Sequence, residues 1–213
     1  MKLEDLINLV GDEPAFDSGL LLAGNTDPRD VRRQLSRWVK AGKLYQLRRG
    51  LYALAPPYQK VKPHPFVIAN RMSRGSYVSG QSALAYYGLI PEATPGTTSV
   101  TTERPARWRT PLGDFEFRHI KPALLFGYKL TDLGGGQKAF VASPAKALLD
   151  LIHLQAAADS QNYLRELRLQ NLERLDAQEL NALAEQSRSP KWRRAARLVV
   201  ELAQAESKDY ESL

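Results

Sequence analysis

Two acidic side chains, Asp114 and Glu116, stand two residues apart in an alternating segment, a spacing that puts both carboxylates on one face of a β-strand. Such a pair could hold the divalent ion of a metal-dependent nuclease. However, no Glu-x-Lys companion follows the pair, and Arg118 would share its face. We therefore predict no catalytic residue here, and we keep a nuclease or another enzyme in the C-terminal domain as an alternative function.

The histidines and a run of glycines are the other groups with possible chemistry. His64, His119 and His153 have no neighbouring His and no metal-ligand spacing such as His-x3-His. Residues 134–136 are three glycines that lack the Gly-Lys-Ser/Thr ending of a phosphate-binding loop, which favours a turn. The chain has no Cys, which excludes disulfides, thiolate zinc sites and cysteine nucleophiles. The sequence thus predicts no metal site and no cofactor.

Positive charge is concentrated in one part of the chain. The 213 residues include 30 Lys+Arg and 23 Asp+Glu, a formal net charge of +7. Residues 28–60 hold nine Lys/Arg and one acid, a net of +8, whereas residues 1–27 carry −5. Residues 61–150 carry +5 and residues 151–213 carry −1. A dense basic block is either a solvated face or a site for a polyanion.

The basic block begins with a predicted helix from Pro28 to about Ala41. Asp27 can cap this helix, Pro28 suits its first position and Gly42 can end it. At about 100° per residue, apolar and basic side chains separate onto opposite arcs. The apolar arc consists of Val31, Leu35, Trp38 and Val39, and the opposite arc consists of Arg29, Arg32, Arg33, Ser36 and Lys40, with Arg37 at its margin. This division suits a recognition helix, which docks one side on a core and places the other in a DNA groove.

Two strands are predicted after this helix, at residues 43–47 and 51–54. Gly50 would supply the turn between them, with Arg48 and Arg49 at its tip. In a DNA complex the tip of such a hairpin touches the phosphate backbone or the minor groove.

Two further helices are predicted upstream, one on the apolar spacing of residues 3–10 and one from Phe16 to Ala23, ended by Gly24 and Asn25. Three helices followed by a hairpin with a basic tip is the plan of a winged helix-turn-helix domain. An Arg-rich helix face that meets only solvent is the alternative, but the element order and the hairpin arginines favour DNA binding. The predicted DNA-binding residues are Arg29, Arg32, Arg33, Ser36, Arg37, Lys40, Lys43, Arg48 and Arg49.

The rest of the chain predicts a second domain. Residues 56–65 contain four prolines and are expected to form an extended, stiff linker between residues 1–55 and 66–213. The second domain is predicted to be α+β, with a small mixed sheet first and helices last. A short strand or a turn is expected at residues 77–79, and strands are expected at 97–102, 115–120, 128–130 and 138–141. Helices are expected at 66–72, at 81–87 and from Pro144.

A second basic cluster lies in this domain and consists of Arg104, Arg107, Trp108 and Arg109. We expect it on a loop after the threonine-rich strand. It would widen the DNA footprint or stack on RNA through its tryptophan, or it would be an ordinary surface loop. The residue types leave these alternatives open.

Five segments resemble a known family. DPRDVRRQLSRWVKAGKLYQLRRGLYAL is similar to the winged helix of AbiEi-type antitoxins from type IV toxin–antitoxin systems. YVSGQSALAYYGLIPE, TSVTTERPARW, FEFRHI and VASPAKALLDLI resemble, in this order, the antitoxin domain of that family. The resemblance covers about residues 1–160. It implies a repressor that binds double-stranded DNA in its own promoter and opposes a nucleotidyltransferase-like toxin, without requiring direct contact with that toxin.

The sequence also bears on where the protein acts. MKLEDLINLVGDEP lacks a basic segment followed by a long apolar run, so we expect no signal peptide. No apolar stretch approaches the roughly 18 residues that a membrane span requires. We expect a cytoplasmic protein that does not bind membranes and is not an enzyme. A protein-interaction module whose basic face meets an acidic partner is a further alternative.

Overall fold

A computed structural model describes residues 1–22, 27–91 and 95–211, with side chains to residue 205. These residues adopt an α+β fold with a small antiparallel sheet and a larger mixed sheet. Within the described part of the chain, no helix is both long enough and apolar enough to cross a membrane.

The N-terminal part combines two α-helices with the small sheet. Its elements are α1 (Leu3–Val10), β1 (Phe16–Asp17), a 3-10 helix (Ser18–Leu22), α2 (Pro28–Lys40), β2 (Leu44–Arg48) and β3 (Leu51–Leu54). The predictions of α1, α2 and the hairpin are confirmed. The cap on α2 is confirmed as well, because Asp27 accepts a 2.7 Å hydrogen bond from the backbone N–H of Arg29.

The helix predicted from Phe16 to Ala23 is wrong at its start. Phe16 and Asp17 form β1, which pairs with Tyr52 and Leu51 of β3. The Phe16 ring stacks on the Tyr52 ring at 6.0 Å, and such a cross-strand aromatic pair stabilises a strand. Only a short 3-10 helix follows, and the predicted end at residues 23–25 lies outside the described residues.

Strand β3 contributes to two hydrophobic clusters at once. Its Tyr52 and Leu54 pack into a smaller cluster with residues of α1 and α2, such as Leu35. Its Leu51 and Ala53 belong to the main core of the protein. Successive side chains of a strand point to opposite faces, so the small sheet is covered on both sides. The N-terminal elements are therefore packed on the rest of the chain.

The remaining elements surround a six-stranded sheet in the order β6-β7-β5-β4-β9-β8. Its strands are β4 (Tyr77–Val78), β5 (Thr97–Thr101), β6 (Ala106–Thr110), β7 (Gly113–His119), β8 (Tyr128–Asp132) and β9 (Lys138–Ala142). The helices are α3 (Pro65–Met72), α4 (Gly80–Tyr86), α5 (Pro144–Leu154), α6 (Gln161–Glu166), α7 (Ala177–Gln186) and α8 (Pro190–Glu211). Strand β5 runs parallel to β7 and β4 runs parallel to β9, whereas the other neighbouring strands are antiparallel. The strands and helices predicted in this region are confirmed.

Two expectations for this region need correction. The loop predicted after the threonine-rich strand is largely β6, which pairs with β7 from Ala106 opposite Phe117 to Thr110 opposite Gly113. The segment predicted as an extended linker contains a turn, in which the N–H of Tyr58 donates to the carbonyl of Ala55 at 2.9 Å. Tyr58, at the end of this turn, packs against the smaller cluster.

Because β3 joins the two clusters, Leu51→Ala should destabilise the whole protein. We expect a loss of about 2–5 kcal/mol in the free energy of unfolding, from lost burial and the cavity left behind. Urea denaturation followed by circular dichroism would measure this free energy, and we expect the protein to unfold in a single transition. The matched control, Leu9→Ala on the exposed face of α1, should change stability by less than about 0.5 kcal/mol. Two separate transitions in the unmodified protein would contradict this coupling.

Candidate nucleic-acid interface

Helix α2 has the two faces that its sequence predicts. Val31, Leu35 and Trp38 are buried and Val39 is half-buried against the smaller cluster. The polar side chains on the other face are all exposed: Arg29, Arg32, Arg33, Ser36, Arg37 and Lys40. The fold thus presents six of the nine predicted DNA-binding residues together on one solvent-facing side of α2.

Two of these arginines have local contacts on the helix. Arg33 lies 3.3 Å from a carboxylate oxygen of Asp30, and both side chains are largely exposed. Arg32 donates from Nε to the backbone carbonyl of Pro28 at 3.2 Å. Exposed pairs of this kind contribute at most about 1 kcal/mol, so a phosphate group can replace them as the partner of the guanidinium.

The remaining predicted residues lie on the hairpin that follows α2 or just before it. Arg49 is exposed at the turn, where Gly50 adopts a φ of 82°, a conformation that favours glycine. The expectation that Arg48 also stands at the tip needs correction. Arg48 ends β2, is half-buried and donates to the carbonyl of Arg49 at 3.2 Å. Lys43, just before β2, is half-buried as well.

The second basic cluster lies on the edge strand β6 and on the bend before it. Arg107 and Arg109 project from the same face of β6, opposite Glu116 and Asp114 of β7. Arg107 donates to Glu116 at 2.9 Å, and Arg109 approaches Asp114 to 3.8 Å. Trp108 alternates with them and is exposed, as is Arg104 in the bend. Pairing with β7, which the sequence pattern did not indicate, organises the cluster.

Asp114 and Glu116 share a face of β7 with Arg118, as the sequence predicts. Glu116 accepts hydrogen bonds from Arg107 at 2.9 Å and from Arg118 at 3.2 Å. Partial burial by itself raises the pKa of Glu116, but the hydrogen bonds and charges of these arginines outweigh it and lower that pKa. Both carboxylates therefore have guanidinium partners. The described ranges contain no group of three or more His, Asp and Glu residues able to hold a metal ion.

The histidines and the glycine run have local structural contacts. His64 caps α3 by accepting from the N–H of Phe66 at 3.2 Å. The Nδ1 atom of His119 lies 3.0 Å from the carbonyl of Glu103, and His153 packs edge-on against Trp192. Residues 134–136 form the turn between β8 and β9, which confirms the predicted hairpin.

A buried polar cluster lies between α5 and β4, and the sequence analysis did not identify it as a candidate site. Lys146 and Asp150, four residues apart on α5, form a fully buried ion pair. Lys146 also donates to the hydroxyl of Tyr77 at 2.7 Å. Asp150 accepts from the hydroxyls of Tyr77 at 3.0 Å and Ser79 at 2.7 Å. The four-residue spacing of Lys146 and Asp150 is visible in the sequence, but their burial among apolar residues is not.

Aromatic rings and a glycine surround the ammonium group of this cluster. The Nζ atom of Lys146 lies 5.0 to 5.5 Å from the ring centroids of Tyr77, Phe126 and Trp192. A Cβ on Gly127 would come within 3.0 Å of the Lys146 side chain, so glycine makes room for it. Burial raises the pKa of Asp150 and lowers the pKa of Lys146, while their mutual attraction opposes both shifts. The cluster is inaccessible to a substrate and holds α5 against β4.

No protein-family model matches the chain, and no curated protein matches it. The function therefore has to be inferred from the residues and their geometry.

Asp150→Asn should lower the free energy of unfolding by about 3–5 kcal/mol, because it leaves the buried ammonium of Lys146 without a counter-charge. Adding Lys146→Met should recover a large part of that loss, since the asparagine oxygen still accepts from Tyr77 and Ser79 and no charge is left unpaired. Urea denaturation of the single and double variants would measure both effects. Additive losses in the double variant would show that packing, and not charge, accounts for the cluster.

Proposed function

We propose that this protein is a DNA-binding transcriptional repressor and the antitoxin of a type IV toxin–antitoxin system. Residues 1–55 would form a winged helix-turn-helix domain, with α2 as the recognition helix and the β2–β3 hairpin as the wing. One observation carries the proposal: α2 buries its apolar arc and exposes six polar side chains, five of them basic, on one opposite face.

Charge supports this assignment. Residues 28–60 hold nine of the 30 Lys and Arg residues and one acid, which is Asp30. A recognition helix lies in the major groove, where its flanking arginines and lysines meet phosphates and its first turns meet base edges. Arg29, Arg32 and Arg33 lie in those first turns of α2. We propose that these three arginines give binding most of its sequence preference.

The wing would contribute backbone contacts. Arg49 is the exposed basic residue of the hairpin turn, and its guanidinium suits a phosphate or the minor groove. Arg48 is half-buried and bonded to the carbonyl of Arg49. We therefore assign Arg49 direct contact with DNA and assign Arg48 the role of holding the turn.

The antitoxin role rests on the resemblance of the segments around α4, β5, β7 and α5 to the AbiEi antitoxin domain. The last of these segments, VASPAKALLDLI, contains the buried Lys146–Asp150 pair. The proposed role requires no catalytic residue and no cofactor. A metal-dependent nuclease is less favoured, because Asp114 and Glu116 both face arginines. We assign the protein to the cytoplasm, where it would reach its promoter.

Promoter binding should weaken steeply as salt increases, because bound DNA releases counterions when basic side chains replace them. With roughly six phosphate contacts, a plot of log K against log salt should have a slope near −5. Arg33→Glu should reduce affinity by about tenfold or more without unfolding the protein, because Arg33 is exposed. Fluorescence anisotropy with duplex DNA from the upstream region would measure both.

Arg165→Glu is the matched control, since it makes the same charge change at an exposed position on α6. It should change affinity by less than threefold. A salt slope near zero would overturn the proposal, and so would equal losses from Arg33→Glu and Arg165→Glu. Thermal unfolding of each variant would identify a loss that is due to misfolding.

The antitoxin role has a separate test in cells. We expect expression of this protein to restore growth when a nucleotidyltransferase-like toxin encoded beside it is induced. Arg33→Glu should still restore growth, because its defect concerns promoter DNA and not the toxin. Colony counts with both genes on separate inducible promoters would measure protection. No protection by the unmodified protein would overturn the antitoxin role and leave the repressor role to be judged by DNA binding alone.

A further inference from the structure

Strand β8 is an open edge of the six-stranded sheet, because β9 is its one neighbour among the strands of the described residues. At the two ends of this pairing, Ser143 donates to the carbonyl of Gly127 at 3.0 Å and Leu133 donates to the carbonyl of Gln137 at 2.9 Å. Hydrogen-bonded and non-hydrogen-bonded pairs alternate along an antiparallel ladder. The backbone N–H and C=O groups of the even-numbered residues in 128–132 therefore point away from β9, toward the open edge.

Three large apolar side chains are exposed on one face of the β8–β9 hairpin. Leu130 is 56% exposed, Phe140 is 44% exposed and Tyr128 is 36% exposed. Leu130 lies directly opposite Phe140, in a non-hydrogen-bonded pair, where side chains are closest. Tyr128 shares their face, and its ring centroid lies 5.8 Å from that of Phe140. Contiguous exposed apolar residues mark interaction sites, whereas single ones need no explanation.

A groove of about 350 Å³ adjoins this apolar patch, between the hairpin and α3. Its apolar walls come from both elements: Val67, Leu130 and Phe140. The charged residues among its described lining are all cations: Arg71, Arg74 and Lys138. The two arginines have exposed ion pairs with Glu13 and Asp17, which contribute little, so a carboxylate of a ligand can replace those partners.

The charges favour one occupant of the open edge. Lys129 is exposed and projects from the other face of β8, since it alternates with Tyr128 and Leu130. A second copy paired edge to edge would bring the cations of both copies together, and a lysine on an edge strand opposes such pairing. A strand that alternates acidic and apolar residues fits both faces. Its carboxylates would approach Lys129, and its apolar side chains would cover Leu130 and Phe140.

We propose that the open edge of β8 binds an extended acidic segment of a partner protein, which adds one further strand to the sheet. The backbone of this segment would hydrogen-bond to the outward-pointing groups of Tyr128 and Leu130. Its apolar side chains would lie on the exposed patch, and its end would place a carboxylate near Lys138. The surface contains none of the DNA-binding residues proposed on α2 and the β2–β3 hairpin, so the proposal does not depend on that function.

Synthetic peptides of defined pattern can test this proposal on the full chain. The probe is a fluorescein-labelled octapeptide in which Glu alternates with Val or Phe. One reference peptide has the same composition, with the acidic and apolar residues grouped in two blocks, and another has Lys in place of each Glu. We expect saturable fluorescence anisotropy with the alternating acidic peptide, and affinity at least tenfold weaker for both references.

Variants of Leu130 separate the side-chain contact from the backbone contact. Leu130→Ala should weaken binding of the alternating acidic peptide about threefold, by removing apolar surface. Leu130→Pro should weaken it at least tenfold, because it also removes an N–H that points outward, a loss that an edge strand tolerates. Leu9→Ala is the matched control, since Leu9 is 51% exposed and does not line the groove. It should change binding by less than twofold, and thermal unfolding would establish that each variant is folded.

Reversal of charge tests the ionic part of the proposal. Lys129→Glu with Lys138→Glu should weaken binding of the acidic peptide at least tenfold and strengthen binding of the Lys peptide. Arg33→Glu should leave peptide binding unchanged, so a failure of DNA binding and a failure of this proposal are distinguishable.

The proposal is wrong if no peptide binds saturably, or if the block and alternating peptides bind equally well, which would indicate ionic attraction without strand pairing. Equal losses from Leu130→Ala and Leu130→Pro would likewise exclude the backbone contact. Sedimentation velocity would detect the competing occupant. A dimer of the unmodified chain that Leu130→Pro dissociates would assign the edge to a second copy, whereas a monomer that binds the acidic peptide supports the proposal.

Discussion

The alternation of side chains along β3 is the constraint on which the arrangement of the protein depends. Tyr52 and Leu54 point toward α1 and α2, while Leu51 and Ala53 point into the main core. A shift of one residue would exchange these two buried faces and put the large Tyr52 side chain where the small Ala53 packs. Because protein interiors are close-packed, the register of this short strand is strongly specified. The ion pairs of Arg71 with Glu13 and of Arg74 with Asp17 also bridge the two parts, but exposed pairs contribute little.

Ion pairs have two different roles in this fold. Lys146 and Asp150 are fully buried, so breaking one partner leaves an uncompensated charge in an apolar interior. Their role is to fix α5 on the sheet. Arg107 and Glu116 lie at the surface, where water screens the pair and exchange of partners costs little. Groups of this second kind can bind a ligand without weakening the fold.

The elements that were predicted correctly are those whose caps, turn residues and hydrophobic period lie within the segment itself. Helix α2 has a capping Asp27, a terminal Gly42 and a 3.6-residue period, so its bounds and its exposed face were predictable. Strand β1 was not, because two residues become a strand only through pairing with β3. Strand β6 was missed for the same reason, since its Arg-Trp-Arg segment has no apolar alternation of its own. The pairing of Arg107 and Arg109 with the carboxylates of β7 was likewise unpredictable, because it depends on the order of strands in the sheet.

The exposed face of α2 and the basic cluster on β6 differ in shape and in how far acidic neighbours neutralise their positive charge. On α2 the cations project from a convex helix with a single acidic neighbour, Asp30, so the net charge of that face is strongly positive. On β6, Arg107 and Arg109 each face a carboxylate, so their positive charge is largely neutralised. A convex, strongly positive face suits the groove of a duplex, whose phosphates are dense and regular. The two surfaces therefore differ in what they could attract, and only the face of α2 has the unneutralised charge that a duplex requires.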